Sequence, residues 1–448
     1  MPRSKIKDFI NDSEVIKSFE RELDELLSIP SVATGGQGEY PYGGECARAL
    51  DKALEIAGKY GLKTQNHGYR CGSAVYGGGG TEVGIITHLD VVPAGEGWSY
   101  NPYSLTIDRE KGLYIGRGSG DDKGPLLMSV YALRFLWENN ITLPFAVRLI
   151  FGSDEEVGST DLEYYKTKFS PPAFSFTPDA GYPVCVGEKG IMHLKVCLGR
   201  ADESLEKLSA GSVTNAVAGQ AAAVSGGVET KVYGVTAHAS MPEPGVNAIY
   251  LLAEKMLSEG SVPESNKKAF EFLKQAGSEY LGRTLGIDFA DKNFGYLTCV
   301  AGVLGISGGM IHLDFDIRFP VSKTYGEVYS AAKRTIEDLG FSIVKDNSSS
   351  PIKDGYFKSP DTKEIKALTR ACEEVLGGDC EPYTMGGGTY ARSMPNAVAF
   401  GARIEGYEGI LGKGRGKAHD RDEYIAIDEV KKGIEIFIKS LLYLAEGF

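Results

Sequence analysis

The sequence predicts an α/β protein split around an α+β insert, and three observations carry the prediction. Through residue 189, short apolar runs alternate with helical stretches, the pattern of a sheet with parallel strand pairs. Each run stops at polar residues, most of them acidic. Near residue 190 the texture changes to charged and Ala-rich stretches mixed with further strands, and after about 378 the α/β pattern returns. A chain of 448 residues fits two domains better than one core. The expected division is 1–189, an insert at 190–378, and 379–448 completing the first domain.

Val15, Ile16, Phe19, Leu23, Leu26 and Leu27 recur at helical spacing, and Ile29-Pro30 ends that helix. Residues 46–60 read as a second helix. Strands follow at 83–87, 113–115, 145–151 and 173–177, with a helix at 125–138. They stop at His88-Leu-Asp90, GRGSGDDKG, GSDEE and Pro178-Asp179. Ligands of such sheets bind beyond the carboxyl ends of strands, where these acids and histidines gather. In the insert, 190–210 is charged and 216–224 is small and Ala-rich. Strands are expected there at 230–238, 294–304 and 310–319, and helices at 245–258 and 325–339. Residues 340–360 are polar and turn-rich. A helix at 361–375, the loop GGGTYAR, a strand at 397–401, another glycine-rich loop and a helix at 427–445 follow. There is no internal repeat.

Composition narrows the function. Net charge is −12, from 48 basic and 60 acidic residues, which argues against nucleic acid, whose phosphates need a basic field. Glycine makes up 58 of 448 residues, about 13% against the usual ~7%, so many tight loops are expected, and loops carry sites. Seven scattered cysteines without a CxxC argue against a disulfide framework and a thiolate zinc site, and favour the cytoplasm. The charged start is no signal peptide, and no apolar run is long enough for a membrane span.

Of six histidines, His88, His238 and His419 sit in glycine- or acid-flanked loops. His88 and Asp90 are two apart at a strand end, where side chains face the same way. Asp90 can then accept a hydrogen bond from one ring nitrogen while the other ligates a metal. A surface turn is the plainer reading. Asp121-Asp122 lies in a glycine-rich turn before a helix, where a carboxylate could bridge two cations or simply cap the helix. In Asp154-Glu155-Glu156 one glutamate could ligate while its neighbour takes a proton from activated water; a solvated acidic loop is the alternative. Asp179 follows another strand, and His419-Asp420 follows the basic stretch 412–417; an ordinary turn and a flexible loop are the competing readings.

The ordered string HxD, GxGxxDDKG, DEE, PDAG and GKAHD resembles the M20 family of two-zinc peptidases and deacylases over nearly the whole chain. THLDVVPAGEGW, SDEEVGS, PDAGYPVCVGEKG, GVTAHASMPEPGVNA, DIRFP and KAHDRDEYI support it. Within the family the chain looks most like the PepV-type dipeptidases, which are similar to Xaa-His dipeptidases and carnosinases. The resemblance implies a catalytic domain with a mixed sheet between helices and an inserted lid. It implies that His88 and Asp179 hold one metal, Glu156 and His419 the other, and that Asp121 bridges them. Asp90 would orient His88, Glu155 would be the general base, and a cis peptide would join Asp121 to Asp122. His238 would stabilise the oxyanion and complete the site as the lid closes. Without the family, a strand-end histidine is the better reading of His238. Arg318 could clamp the substrate carboxylate or be a sheet-surface charge. Asn215, Gly388 and Thr389 are further substrate contacts, with turns as the alternative. An O/N ligand set without sulfur fits two ions of Zn²⁺, Mn²⁺ or Co²⁺ alike.

The expected activity is metal-dependent hydrolysis of dipeptides or very short peptides. Asp179, an aspartate, resembles the dipeptidase branches rather than the carboxypeptidase and deacylase branches. The long insert resembles a lid that covers the site within one chain, so a monomer is expected, with a dimer left open. The alternatives are an N-acyl amino acid deacylase or carboxypeptidase of the same family, and a catalytically silent binding protein on this fold. The last would have lost a ligand or the base, and all are present.

Overall fold

The strand Glu82–His88 explains the architecture. Val83, Ile85 and Ile86 are fully buried, as expected of an apolar strand covered on both faces. It pairs in parallel with Ala146–Gly152 on one side and Phe174–Thr177 on the other. His88 lies opposite Gly152, and Ile85 opposite Phe176. The three chains therefore finish at the same sheet edge, just before Asp90, Asp154-Glu155-Glu156 and Asp179. The register alone brings three of the sequence motifs together.

The computed structural model describes residues 3–36, 38–347 and 354–447. These form two compact units. The first comprises Met1–Val186, Lys358–Tyr383 and Thr389–Phe448. Its mixed sheet runs in the order Lys63–Asn66, Gly72–Tyr76, Ala146–Gly152, Glu82–His88, Phe174–Thr177, Ala397–Phe400, then Val184–Glu188, along which the chain passes into the second unit. The helix Lys123–Glu138 is buried along most of its length, from Lys123 through Leu136, and packs against Ser13–Leu27 and Ile427–Gly447. Asp12 caps the helix Ser13–Leu27 by accepting from the Glu14 and Val15 amides, an interaction worth ~1 kcal/mol.

The second unit comprises Gly187–Phe357 and Thr384–Gly388. It is a seven-stranded sheet in the order Val228–Tyr233, Gln220–Ser225, Leu205–Ala210, Thr298–Ser307, Met310–Phe319, Gly190–Arg200 and Ser342–Asp346. Strict alternation along Met310–Phe319 sends Ile311, Leu313, Phe315, Ile317 and Phe319 into the core with Ile249, Leu252, Phe270, Val328 and Ile336. Asp316 and Arg318 lie on the opposite face by the same two-residue period.

The insert is shorter at its far end than expected. The division falls before Lys358 rather than after 378. The helix Lys363–Leu376 buries Ile365, Leu368 and Ala371 and packs against Ile427–Gly447 of the first unit. The charged stretch 190–210 is two strands, and the expected strand at 230–238 ends at Tyr233. Of the turn-rich stretch 340–360, residues 348–353 lie outside the described residues. Among the described residues no helix is long and apolar enough to cross a membrane.

Candidate metal centre

His88 is fully buried. Its Nδ1 donates to the Asp90 backbone carbonyl at 2.9 Å. In a neutral ring this turns the Nε2 lone pair inward. Asp121 Oδ1 lies 3.0 Å from Nε2 and Asp179 Oδ2 3.8 Å from it. Nε2 nonetheless has no hydrogen-bond partner. Two acceptors at 3.0 Å repel unless a positive charge lies between them, so the buried, orphaned nitrogen fits a metal ligand. On the other side of Asp121, His419 Nε2 is 3.2 Å from Asp121 Oδ2 and 3.0 Å from Glu156 Oε1. Candidate ligand atoms of His88, Glu155 and Asp179 lie within 4.8 Å of one another, and so do those of His88, Asp121 and Glu156. The site is a chain of donors with Asp121 in the middle.

The electrostatics fit the same description. Burial opposes ionisation of Glu155 and Asp179 and pushes both carboxyls well above the usual range, with neighbouring acids adding to the shift. Burial also opposes charge on His88, but Asp121 and Asp90 outweigh it and raise the imidazole. Asp121 and Glu156 raise His419 to about 11. Where no cation is bound, protons on the histidines neutralise the crowded carboxylates. Divalent cations would take over that task.

The elements around the site hold each donor. Asp121 sits in a loop where Gly118 has φ +87°, open to glycine at little cost. A Cβ on Gly124 would meet the Ser119 carbonyl oxygen at 2.0 Å, so only glycine lets the helix start so close. The Asp121–Asp122 peptide is cis. Asp122 stands at the helix N-cap position without a side-chain capping bond; its carboxylate accepts from the His88 amide at 3.1 Å instead. Lys123 is fully buried and donates to the carbonyls of Leu26 and Ile29, and burial lowers its amine to about 7.

Asp90 departs from expectation. Its carboxylate is 3.6 Å from His88 Nδ1, beyond hydrogen-bond range, because the Asp90 carbonyl takes that bond. The carboxylate accepts instead from the amides of Glu155 at 3.1 Å and Glu156 at 3.0 Å. Asp90 thus ties the end of the His88 strand to the loop carrying both glutamates. Sequence reasoning also missed Glu423, fully buried within the quoted KAHDRDEYI. An acid four residues after a candidate ligand was the available signal.

Of the remaining predicted residues, Thr389 is in the first unit. His238, Asn215, Arg318 and Gly388 are in the second unit. His238 is exposed, and its Nδ1 lies 2.7 Å from Ser240 Oγ. Asn215 is exposed, and its carbonyl accepts from the Ala239 amide. Arg318 is buried, with Nε 2.5 Å and an outer nitrogen 2.8 Å from the two Asp316 oxygens. Its other outer nitrogen lies 3.3 Å from the Gly386 carbonyl. Thr389 accepts from the Ala391 amide and caps the short helix Tyr390–Ser393.

Known proteins resemble the chain over nearly its whole length. Residues 84–443 match the profile of Peptidase family M20/M25/M40. YtjP of Bacillus subtilis (strain 168), whose name marks it only provisionally as a dipeptidase, is 30% identical across 97% of this chain and 99% of its own. The Beta-Ala-Xaa dipeptidase of Lactobacillus delbrueckii subsp. lactis is 27% identical across 95% of this chain and 96% of its own. The crystal structure of human carnosine dipeptidase 1 has a similar fold, with a TM-score of 0.64 at 17% identity over 99% of this chain and 98% of that one.

Proposed function

The chain belongs to peptidase family M20/M25/M40, the hydrolases of peptide bonds that its profile and its dipeptidase-named relatives define, and on that premise we propose that it cleaves free dipeptides or very short peptides at a two-cation centre. One observation carries the reading: two histidines and three carboxylates from separate strand ends and loops gather around Asp121, with the buried His88 Nε2 left without a hydrogen bond. In this reading His88 and Asp179 hold one cation, Glu156 and His419 the other, and Asp121 both. Zn²⁺, Mn²⁺ and Co²⁺ all suit these donors. When bound, the cations would polarise the peptide carbonyl and bring the pKa of a shared water toward neutrality.

Glu155 acts as the general base. Burial and neighbouring acids give it a high proton affinity, which suits a group that takes a proton from water and hands it to the leaving amine. Asp90 fixes the backbone of Glu155 and its neighbour Glu156 together. His238 as oxyanion stabiliser, and Arg318, Asn215, Gly388 and Thr389 as substrate contacts, enter the proposal from the family pattern. With its side-on edge held by Asp316, Arg318 would offer a carboxylate only its outer nitrogens. The protein is proposed to work in the cytoplasm as a monomer.

The test is hydrolysis of free dipeptides beside N-acetyl and N-succinyl amino acids, using metal-stripped protein refilled with Zn²⁺ or Mn²⁺. Metal-dependent cleavage of free dipeptides, reduced about 10²–10⁴-fold in Glu155→Ala, is the expected result. Cleavage of acylated substrates alone would move the chain to a deacylase role. Silence on every substrate would overturn the enzymatic reading.

A further inference from the structure

Arg117 and Glu423 are both buried, and neither is among the donors of the metal centre. Glu423 Oε1 accepts from three amides of one loop: Gly118 at 3.1 Å, Gly120 at 2.9 Å and Asp121 at 3.1 Å. Successive amides converging on one anionic oxygen form a nest, and here the anion comes from the chain itself. Glu423 Oε2 pairs with Arg117 at 2.5 Å. Arg117 in turn donates to the His419 carbonyl at 3.2 Å and lies 5.3 Å over the Trp98 ring. The same segment is pinned on its other side by Asp422, which accepts from the Ser99 amide at 2.7 Å and from Arg415 at 2.7 Å. Between these anchors His419 and Asp422 adopt φ of +67° and +53°, backbone that non-glycine residues adopt only when their surroundings hold it.

We propose that Arg117 and Glu423 form a clasp that sets the spacing between Asp121 and His419 and so governs the cation held on the His419 side more than the one held by His88 and Asp179. The inference rests on the two-cation reading above. The asymmetry follows from what holds each donor. His88 is fixed by its strand, by the Asp122 carboxylate on its amide and by its own bond to the Asp90 carbonyl. His419 is exposed on a glycine-rich loop; the clasp is the tie that reaches its own carbonyl, beside the Ser119 hydroxyl and Gly116 amide bonds to the Glu423 carbonyl four residues on. Both residues are positioning residues: they act on the donors' backbones and touch neither substrate nor cation.

The experiment is calorimetric titration of metal-stripped protein with Zn²⁺, comparing wild type, Arg117→Lys, Glu423→Gln, His419→Ala and the Arg117→Lys/His419→Ala double variant. Wild type is expected to take up two ions. Arg117→Lys keeps a cation beside Glu423 but loses the reach to the His419 carbonyl. It is expected to bind one ion as wild type does and the other about 10–100-fold more weakly, the usual effect of removing a residue that orients a metal ligand. His419→Ala is expected to bind a single ion, and adding Arg117→Lys to it is expected to leave that affinity within ~2-fold, since the two changes act on one site. Equal weakening of both ions, no weakening, or a further loss in the double variant would overturn the clasp. Uptake of fewer than two ions by wild type would instead overturn the two-cation reading, and the clasp with it. If Glu423→Gln does not fold, Arg117→Lys decides alone.

Discussion

Replacing Asp90 separates two accounts of how the base is held. Its carboxylate is fully buried and accepts one amide on each oxygen, Glu155 at 3.1 Å and Glu156 at 3.0 Å. Asp90→Ala leaves two buried amides without acceptors, at about 1–3 kcal/mol each, so the loop loses roughly 2–6 kcal/mol of its hold. Asp90→Asn keeps one acceptor and sets an NH₂ against the other amide, so about half that loss is expected. A protein of ordinary stability survives the smaller loss, but a base displaced by ~1 Å costs about 10²-fold in rate. The assay is kcat on a free dipeptide with saturating metal, beside hydrogen exchange at the two amides. Asp90→Asn should lower kcat by about 10²-fold and speed exchange at the amide left facing the NH₂. If kcat falls while the amides stay protected and metal affinity drops, Asp90 works chiefly through the His88 ring, and the reasoning here is wrong.

Other outcomes follow from the same geometry. His88 and His419 are raised above the ordinary imidazole range, His419 to about 11, so cations must displace their protons. Metal affinity should rise with pH through neutrality, with proton release visible as a buffer-dependent heat; a heat independent of the buffer would contradict this. Lys123 is lowered by burial to about 7 from 10.5, so between those values the unfolded chain binds the extra proton and stability rises with pH. Wild type should therefore gain stability over Lys123→Met as pH climbs from about 7 to about 10, and a constant gap in denaturant unfolding would refute the shift. Gly124→Ala would drive a Cβ to 2.0 Å from the Ser119 carbonyl oxygen, so the Asp121 loop must move. Metal binding should weaken far more than the melting temperature falls, and unchanged affinity would count against the close approach.

The catalytic unit was legible where one short signal settles structure. The run 83–87 could only be a buried strand, and its end at His88 put a histidine at the sheet edge. The pairing that brings Glu155 and Asp179 to the same edge is long-range; strand–helix alternation anticipated acids at the carboxyl ends of strands, and the family pattern alone assigned each of them a role. The far end of the insert was not legible, because an amphipathic helix at 361–375 reads the same whichever core it covers. Its partner, Ile427–Gly447, decides. The His88 ring nitrogen was assigned to the Asp90 carboxylate, but the Asp90 backbone carbonyl takes that bond, a competition that leaves no trace in the sequence. Arg318's partner could have been found: Asp316 is two residues away on a strand, hence on the same face. The helix Lys267–Gly277 was missed although Ala269, Phe270, Leu273 and Ala276 recur at helical spacing.

The central claim is that Asp121 stands between two cations. Anomalous scattering from crystals of the protein loaded with Zn²⁺ tests it most directly. The account predicts two peaks, one contacted by His88 and Asp179, one by Glu156 and His419, with Asp121 touching both. A single peak, or a second ion bound away from His419, would contradict it.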